Sequence, residues 1–171
     1  FDGPSRIFVG NEQWAPIYIL DTHNNRIVRI GDMSGRGWTT LGSKGTSTQQ
    51  FQEPVGLTVD SQSRIYVADT VNCRIVRIND MRGKGWTNYL STTGNPLSQF
   101  HNVYDVMVDS NDQIYATDTA NHRIVRIKDG MIESDGLCVT VGAVCPTGSV
   151  WNATVMDCVC SGGKTLGPGG C

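Results

Sequence analysis

The sequence predicts an all-β protein: three four-stranded units in tandem, then a small disulfide-rich module. Three observations predict it. A ten-residue phrase occurs three times, as DTHNNRIVRI from Asp21, DTVNCRIVRI from Asp69 and DTANHRIVRI from Asp118. The runs around it are rich in β-branched and aromatic residues and bounded by Gly, Asn, Asp and Ser, the composition of strands and turns. Five of the six cysteines fall in the last 34 residues. That stretch is rich in Gly and small residues, and a segment so poor in core-forming side chains usually needs covalent staples.

The three Asp anchors stand 48 and 49 residues apart (69 − 21 and 118 − 69). The likeness extends beyond the phrase. FDGPSRIFV from Phe1, FQEPVGLTV from Phe51 and FHNVYDVMV from Phe100 occupy matching places, and GDMSGRGWTTLG from Gly31 matches NDMRGKGWTNYL from Asn79. The second unit is the clearest. GLTVD (56–60), RIYVAD (64–69), RIVRI (74–78) and WTNYL (86–90) read as four successive strands, the last outermost. In RIVRI the apolar residues lie on both faces, which suits a sheet covered on both sides. No segment shows a helical period. Four antiparallel strands recurring every 40–50 residues are the signature of β-propeller blades. The blades are placed at about 1–50, 51–99 and 100–136, and the tail at 137–171. The third unit replaces the Gly-x-Gly-Trp segment with DGMIESDGLCVTVG. Its fourth strand is expected at Leu137–Val141, where Cys138 would tie the tail to the last blade.

The triple D-T-x-N-x-R-I-V-R-I, with the literal Asn121-His122-Arg123-Ile124, resembles the NHL repeat over Phe1 to about Lys128. The resemblance implies a propeller, in that family usually of six blades, and most often an interaction scaffold. A few relatives, such as the peptide-amidating lyases, are enzymes. Three blades are too few to close a ring, so the others must come from elsewhere, and a second copy could supply them by symmetry. The tail resembles an EGF-like or related disulfide-rich module through Cys158-Val159-Cys160 and the Gly-rich run to Cys171. Such a module takes six cysteines and this tail has five.

The repeated phrase has a complete structural job. Asp21, Asp69 and Asp118 each end a strand, and Arg26, Arg74 and Arg123 each begin the next across a short turn holding Asn24, Asn72 or Asn121. Asp and Asn suit turns, and the hairpin brings opposite charges together. An Arg neighbour lowers a carboxyl pKa, which makes a poor general acid. The phrase is therefore read as scaffold rather than as a catalytic or metal site. The three histidines, His23, His101 and His122, occupy non-equivalent positions, and no His-x-His, Cys-x-x-Cys or Gly-x-Ser-x-Gly occurs, so the expectation is no cofactor and no metal. Trp38 and Trp86 are expected to pack on outer strands. The polar runs GSKGTSTQQ and STTGNPLSQ link one blade to the next and are candidates for O-glycosylation or partner contact.

A net charge of −2, with 39% hydrophobic and 18% charged residues, describes a soluble globular chain. It offers no bulk field for nucleic acid or an anionic membrane. The Arg ladder is matched by acidic residues at the same period, and no run approaches the apolar length of a membrane span. The chain starts at Phe1 with no initiator Met, which is read as a processing boundary. Cys138, Cys145, Cys158, Cys160 and Cys171 are expected to form disulfides, with Cys73 as the odd thiol that balances their number, within or between chains. Cys73 is equivalent to Asn25 and His122 and is expected near the surface. The sequon at Asn152 agrees with secretion. The reading is a non-enzymatic extracellular or cell-surface scaffold, assembling with other copies or binding protein or glycan partners. A propeller lyase or hydrolase with a channel site completed by missing blades is the alternative.

Overall fold

The structure is a computed structural model. It describes residues 1–10, 15–89 and 100–128, and the backbone of four further strands. Strands β1 (Pro4–Val9), β2 (Ile17–Asp21), β3 (Arg26–Ile30) and β4 (Thr39–Leu41) form one antiparallel sheet in that order. Strands β5 (Gly56–Val59), β6 (Ile65–Asp69), β7 (Arg74–Ile78) and β8 (Thr87–Tyr89) form the second. The third contains β9 (Val103–Val108), β10 (Ile114–Asp118), β11 (Arg123–Lys128), β12 (Met131–Ser134) and β13 (Leu137–Thr140). A separate hairpin pairs β14 (Ser149–Asn152) with β15 (Asp157–Cys160). Among the described residues no helix is long and apolar enough to cross a membrane.

The repeated phrase sits at one place in each sheet. Asp21 is paired with Arg26, Asp69 with Arg74 and Asp118 with Arg123, at the closed end of the hairpin between second and third strands. The third sheet corrects the reading of its fourth strand. Met131–Ser134 takes that place, and Leu137–Thr140 pairs outside it as a fifth strand. Cys138, opposite Glu133, lies on the outermost strand of the third sheet, where the sequence also placed it in a strand of that blade. Three-residue β4 and β8 carry little strand signal of their own, but a ladder already built on β3 and β7 extends to them.

The sheets stack face to face, and strand alternation divides each one's side chains between its two neighbours. From the first sheet Tyr18, Leu20, Ile27 and Leu41 pack on Leu57, Ile65, Val67, Val76 and Ile78 of the second. The second sheet's other face presents Tyr66, Ala68 and Ile75 to Val106, Ile114, Ala116, Val125 and Ile127 of the third. This is why RIVRI is apolar on both faces: Ile75 faces forward, while Val76 and Ile78 face back. Phe51 and Phe100, each just before an innermost strand, plug the two junctions.

Innermost strands β1, β5 and β9 adjoin one another. Gly56 permits this. A Cβ there would stand 2.6 Å from the Tyr104 carbonyl oxygen and 2.7 Å from the Asp105 Cα, and backbone cannot step aside as a side chain can. Replacing Gly56 with Ala should therefore force the second and third sheets apart. We expect a loss of roughly 1–3 kcal/mol, measured by urea unfolding. An unchanged midpoint would show that the inner strands are not held at this distance.

Candidate functional site

Each repeated Asp is the hub of one network. Asp21 accepts hydrogen bonds from the Asp2 backbone N–H at 2.7 Å, the Asn24 amide at 3.0 Å and Arg26 Nε at 2.8 Å. Asp69 accepts from the Gln52 N–H at 2.7 Å, Asn72 at 2.8 Å and Arg74 Nε at 2.7 Å. Asp118 accepts from the His101 N–H at 2.7 Å, Asn121 at 2.9 Å and Arg123 Nε at 2.7 Å. One carboxylate thereby ties the hairpin to the chain entering the innermost strand. All three carboxylates are buried. A buried carboxylate with three donors already in place is occupied by its own fold.

The invariant Asn does not occupy the left-handed position of the turn. Asn25, Cys73 and His122 do, with φ of 53°, 51° and 55°. This position varies because only its backbone is prescribed, although Asn25 Oδ1 also accepts the Glu53 N–H of the next sheet at 2.8 Å. The turns close through backbone bonds from Asn25 to Thr22, Cys73 to Thr70 and His122 to Thr119.

The structure assigns the invariant Thr a role that sequence reasoning missed. Thr22 Oγ1 donates to the Pro54 carbonyl at 2.7 Å, and Thr70 Oγ1 to the Val103 carbonyl at 2.7 Å. Pro54 and Val103 are equivalent, so Thr staples each blade to the next. Its recurrence in every phrase was the available signal. Two ion pairs also cross between blades: Arg6 with Asp105 at 3.3 Å and Arg64 with Asp112 at 2.8 Å. Arg6, Gly56 and Asp105 are repeat equivalents on the innermost strands, a relation visible only once those strands adjoin.

Arg74 reaches further than its hairpin. It donates to the carbonyls of Thr46 at 2.8 Å and Gln50 at 2.7 Å, and lies 5.9 Å from the Trp86 ring centre, while Asn72 holds the Gly45 carbonyl at 2.9 Å. The polar run 42–50 is thus clasped; its counterpart 91–99 lies outside the described residues. Trp86 packs on Phe51 and Trp38 on Phe1, at 5.2 and 5.1 Å between ring centres.

Cys73 is a half-buried free thiol packed beside the junction of second and third sheets, with Sγ 3.8 Å from the Val71 carbonyl. The turn that carries it also touches the next blade. Cys158 and Cys160 lie opposite Trp151 and Ser149 in the β14–β15 register, and Asn152 opposite Asp157. Cys145 and Cys171 lie outside the described residues. No three His, Cys, Asp or Glu side chains gather as a metal would require among the described residues.

The donors around each Asp belong to its own fold, and the largest exposed apolar side chains lie on the two end faces. Several equivalent residues differ in exposure between the internal junctions and the two end faces. Phe51 and Phe100 are 0% and 4% exposed, but Phe1 is 60%. Leu57 and Val106 are each 1% exposed, but Ile7 is 59%. At the other end Ile27 and Ile75 are 0% exposed, but Ile124 is 57%. The first end face holds an open hollow of about 350 Å³ lined by Ile7, Ile17, Ile19, Ile30 and Met33 among others.

These sheets are β-propeller blades, and the sequence profile of the NHL repeat matches residues 51–78. No curated protein matches the sequence. Among solved structures the chain is similar to virginiamycin B lyase from Staphylococcus aureus (selenomethionine-substituted), with a TM-score of 0.57 and 25% identity over 77% of this chain and 40% of that one. It is also similar to a streptogramin B lyase, with a TM-score of 0.56 and 17% identity over 75% of this chain and 38% of that one. A catalytically inactive virginiamycin B lyase from Staphylococcus aureus with quinupristin gives a TM-score of 0.54 and 18% identity, over 90% and 48%. The chain thus spans less than half the length of these propeller-like proteins.

Two predictions concern the carboxylate hubs. Arg74 and Arg123 side chains are 5% and 9% exposed, whereas Arg26 is 32%. Arg74→Ala leaves Asp69 buried without its cation and should cost about 3–5 kcal/mol. Arg26→Ala should cost roughly 1 kcal/mol. Equal losses in denaturant melts would contradict the difference in burial. The second concerns acid. Burial pushes Asp21 up, but the Asp2 N–H, Asn24 and Arg26 outweigh it and hold the carboxyl below its ordinary value. Asp109 is held low chiefly by the Gln113 N–H, and Asp32 by Ser34. At Asp69 deeper burial wins over the Gln52 N–H, Asn72 and Arg74, and the carboxyl is raised, contrary to the lowering expected from an Arg neighbour. Depressed carboxyls contribute stability above their unfolded value near 3.9 and lose it as pH falls through the folded one. The melting temperature should therefore fall as pH drops below about 4, with Asp69 opposing the trend. Asp109→Asn keeps the turn's acceptor and should flatten the fall; an unaltered slope would remove Asp109 from the account.

Proposed function

We propose that this chain is a non-enzymatic extracellular scaffold that assembles with further copies or binds protein or glycan partners through its uncovered blade faces. One observation carries the reading. Positions buried at both internal junctions are more than half exposed at the two ends, as Phe1, Ile7 and Ile124 are. Apolar side chains grouped on a face are costly to leave in water and mark interaction surfaces. The extracellular placement draws on the cysteine-rich tail, read as an EGF-like module, and on the sequon at Asn152.

A second reading, a propeller lyase or hydrolase, draws on the lyases that the fold overlays and on the Arg6–Asp105 pair between innermost strands. Turnover of virginiamycin B by the purified chain would favour it.

Light scattering with and without reductant tests the scaffold reading. The expected result is a mass above the 18.6 kDa of one chain, together with a reductant-sensitive portion if Cys73 or the tail cysteines cross-link copies. A single-chain mass at every concentration in both conditions, with no retained partner, would sink it.

A further inference from the structure

We infer that a second copy of this chain docks head to tail, its third blade's outward face filling the hollow on the first blade. The inference rests on the scaffold reading and specifies its partner and register. Every internal junction joins two unlike faces. The forward face offers Tyr18, Leu20 and Ile27, or Tyr66, Ala68 and Ile75; the backward face offers Leu57, Ile65 and Val67, or Val106, Ile114 and Ala116. Among the described residues one face of each kind has no blade against it. Phe1 and Ile7, exposed, and Ile17, Ile19 and Ile30, the last two already buried beside Val28, line a backward face, the equivalents of Phe51, Leu57, Ile65, Val67 and Ile78. Met107, Tyr115, Thr117 and Ile124 form a forward face, the equivalents of Thr58, Tyr66, Ala68 and Ile75.

The polar staple is present in both halves as well. Thr22 and Thr70 donate to the carbonyls of Pro54 and Val103 in the following blade. Thr119 is the third member of the donor series and is exposed, while Pro4 is the equivalent of the two acceptor positions. Thr119 Oγ1 is thus placed to donate to the Pro4 carbonyl of a second copy. Each junction joins unlike faces and is heterologous, so copies associate forward face to backward face, and a ring of two carries its two-fold axis along its centre. Two copies joined at both ends form a closed ring, and closure leaves no uncovered face. The overlay on propeller-like chains accounts for under half of each of them, so about as many blades again complete such a ring.

Charge placed on either face tests the arrangement without disturbing the fold, because Ile7 and Ile124 are exposed in the single chain. Ile7→Asp and Ile124→Asp should each weaken association by at least about tenfold in sedimentation or light scattering, since one buried carboxylate outweighs the apolar contact it replaces. Their melting temperatures at dilutions where the wild type is dissociated should stay unchanged. Thr119→Val should weaken association by roughly fivefold. Mixing the two Asp variants restores one intact junction, so a two-chain species should reappear that neither variant forms alone. A wild-type assembly lost in Ile7→Asp but unaffected by Ile124→Asp and Thr119→Val would overturn head-to-tail docking and leave the scaffold reading standing. A wild type that remains a single chain throughout would overturn both.

Discussion

A buried aspartate at the end of each second strand holds the architecture together. Its carboxylate receives one backbone N–H from the segment entering the innermost strand and two side-chain donors from its own hairpin, at 2.7–3.0 Å. Three donors to a charged acceptor compensate for removing it from water. The same contacts decide where the chain turns, where the inner strand starts and how the following Thr is aimed. Because Thr22 and Thr70 then reach a carbonyl of the next blade, a local hairpin motif also sets the spacing between sheets.

That spacing makes each blade dependent on its neighbours. A sheet apolar on both faces cannot stand alone in water, and each internal junction buries one forward and one backward face. The middle blade satisfies both. The first and third blades satisfy one each among the described residues, and Phe1, Ile7, Met107 and Ile124 are exposed on the faces that no described blade covers. Arg26 shows the same effect in polar form. Its counterpart Arg74 clasps the run 42–50 and is buried, whereas Arg26 is partly exposed.

Much of this was legible in the sequence because it is local and repeated. The Asp-to-Arg pairing follows from a hairpin of fixed length, and the two-sided RIVRI strand follows from its apolar residues at both parities. Other features depended on contacts between units. Asp and Asn marked the turn, but the left-handed residue is the one after the invariant Asn, and it varies because side-chain identity matters little there. The packing of the Cys73 turn beside the third blade depends on a contact between units that its polar equivalents do not reveal. Met131–Ser134 was passed over as a strand because its signal is weak, and pairing with β11 supplies what propensity does not.

The sequence by itself determined the repeat unit, its four strands and the turn that closes each hairpin. These rest on interactions within about thirty residues, and the same residues recur in the same order. Only the tertiary structure decided how the units meet: that Gly56 lets inner strands approach, that Arg6 reaches Asp105, that Asp69 is buried deeply enough for desolvation to outweigh its donors, and that Phe1 and Ile124 remain uncovered while their equivalents are sealed. The physical reason is that burial belongs to an assembly. Identical residues at identical places in the repeat acquire different exposure and different electrostatics according to whether a neighbouring blade stands against them.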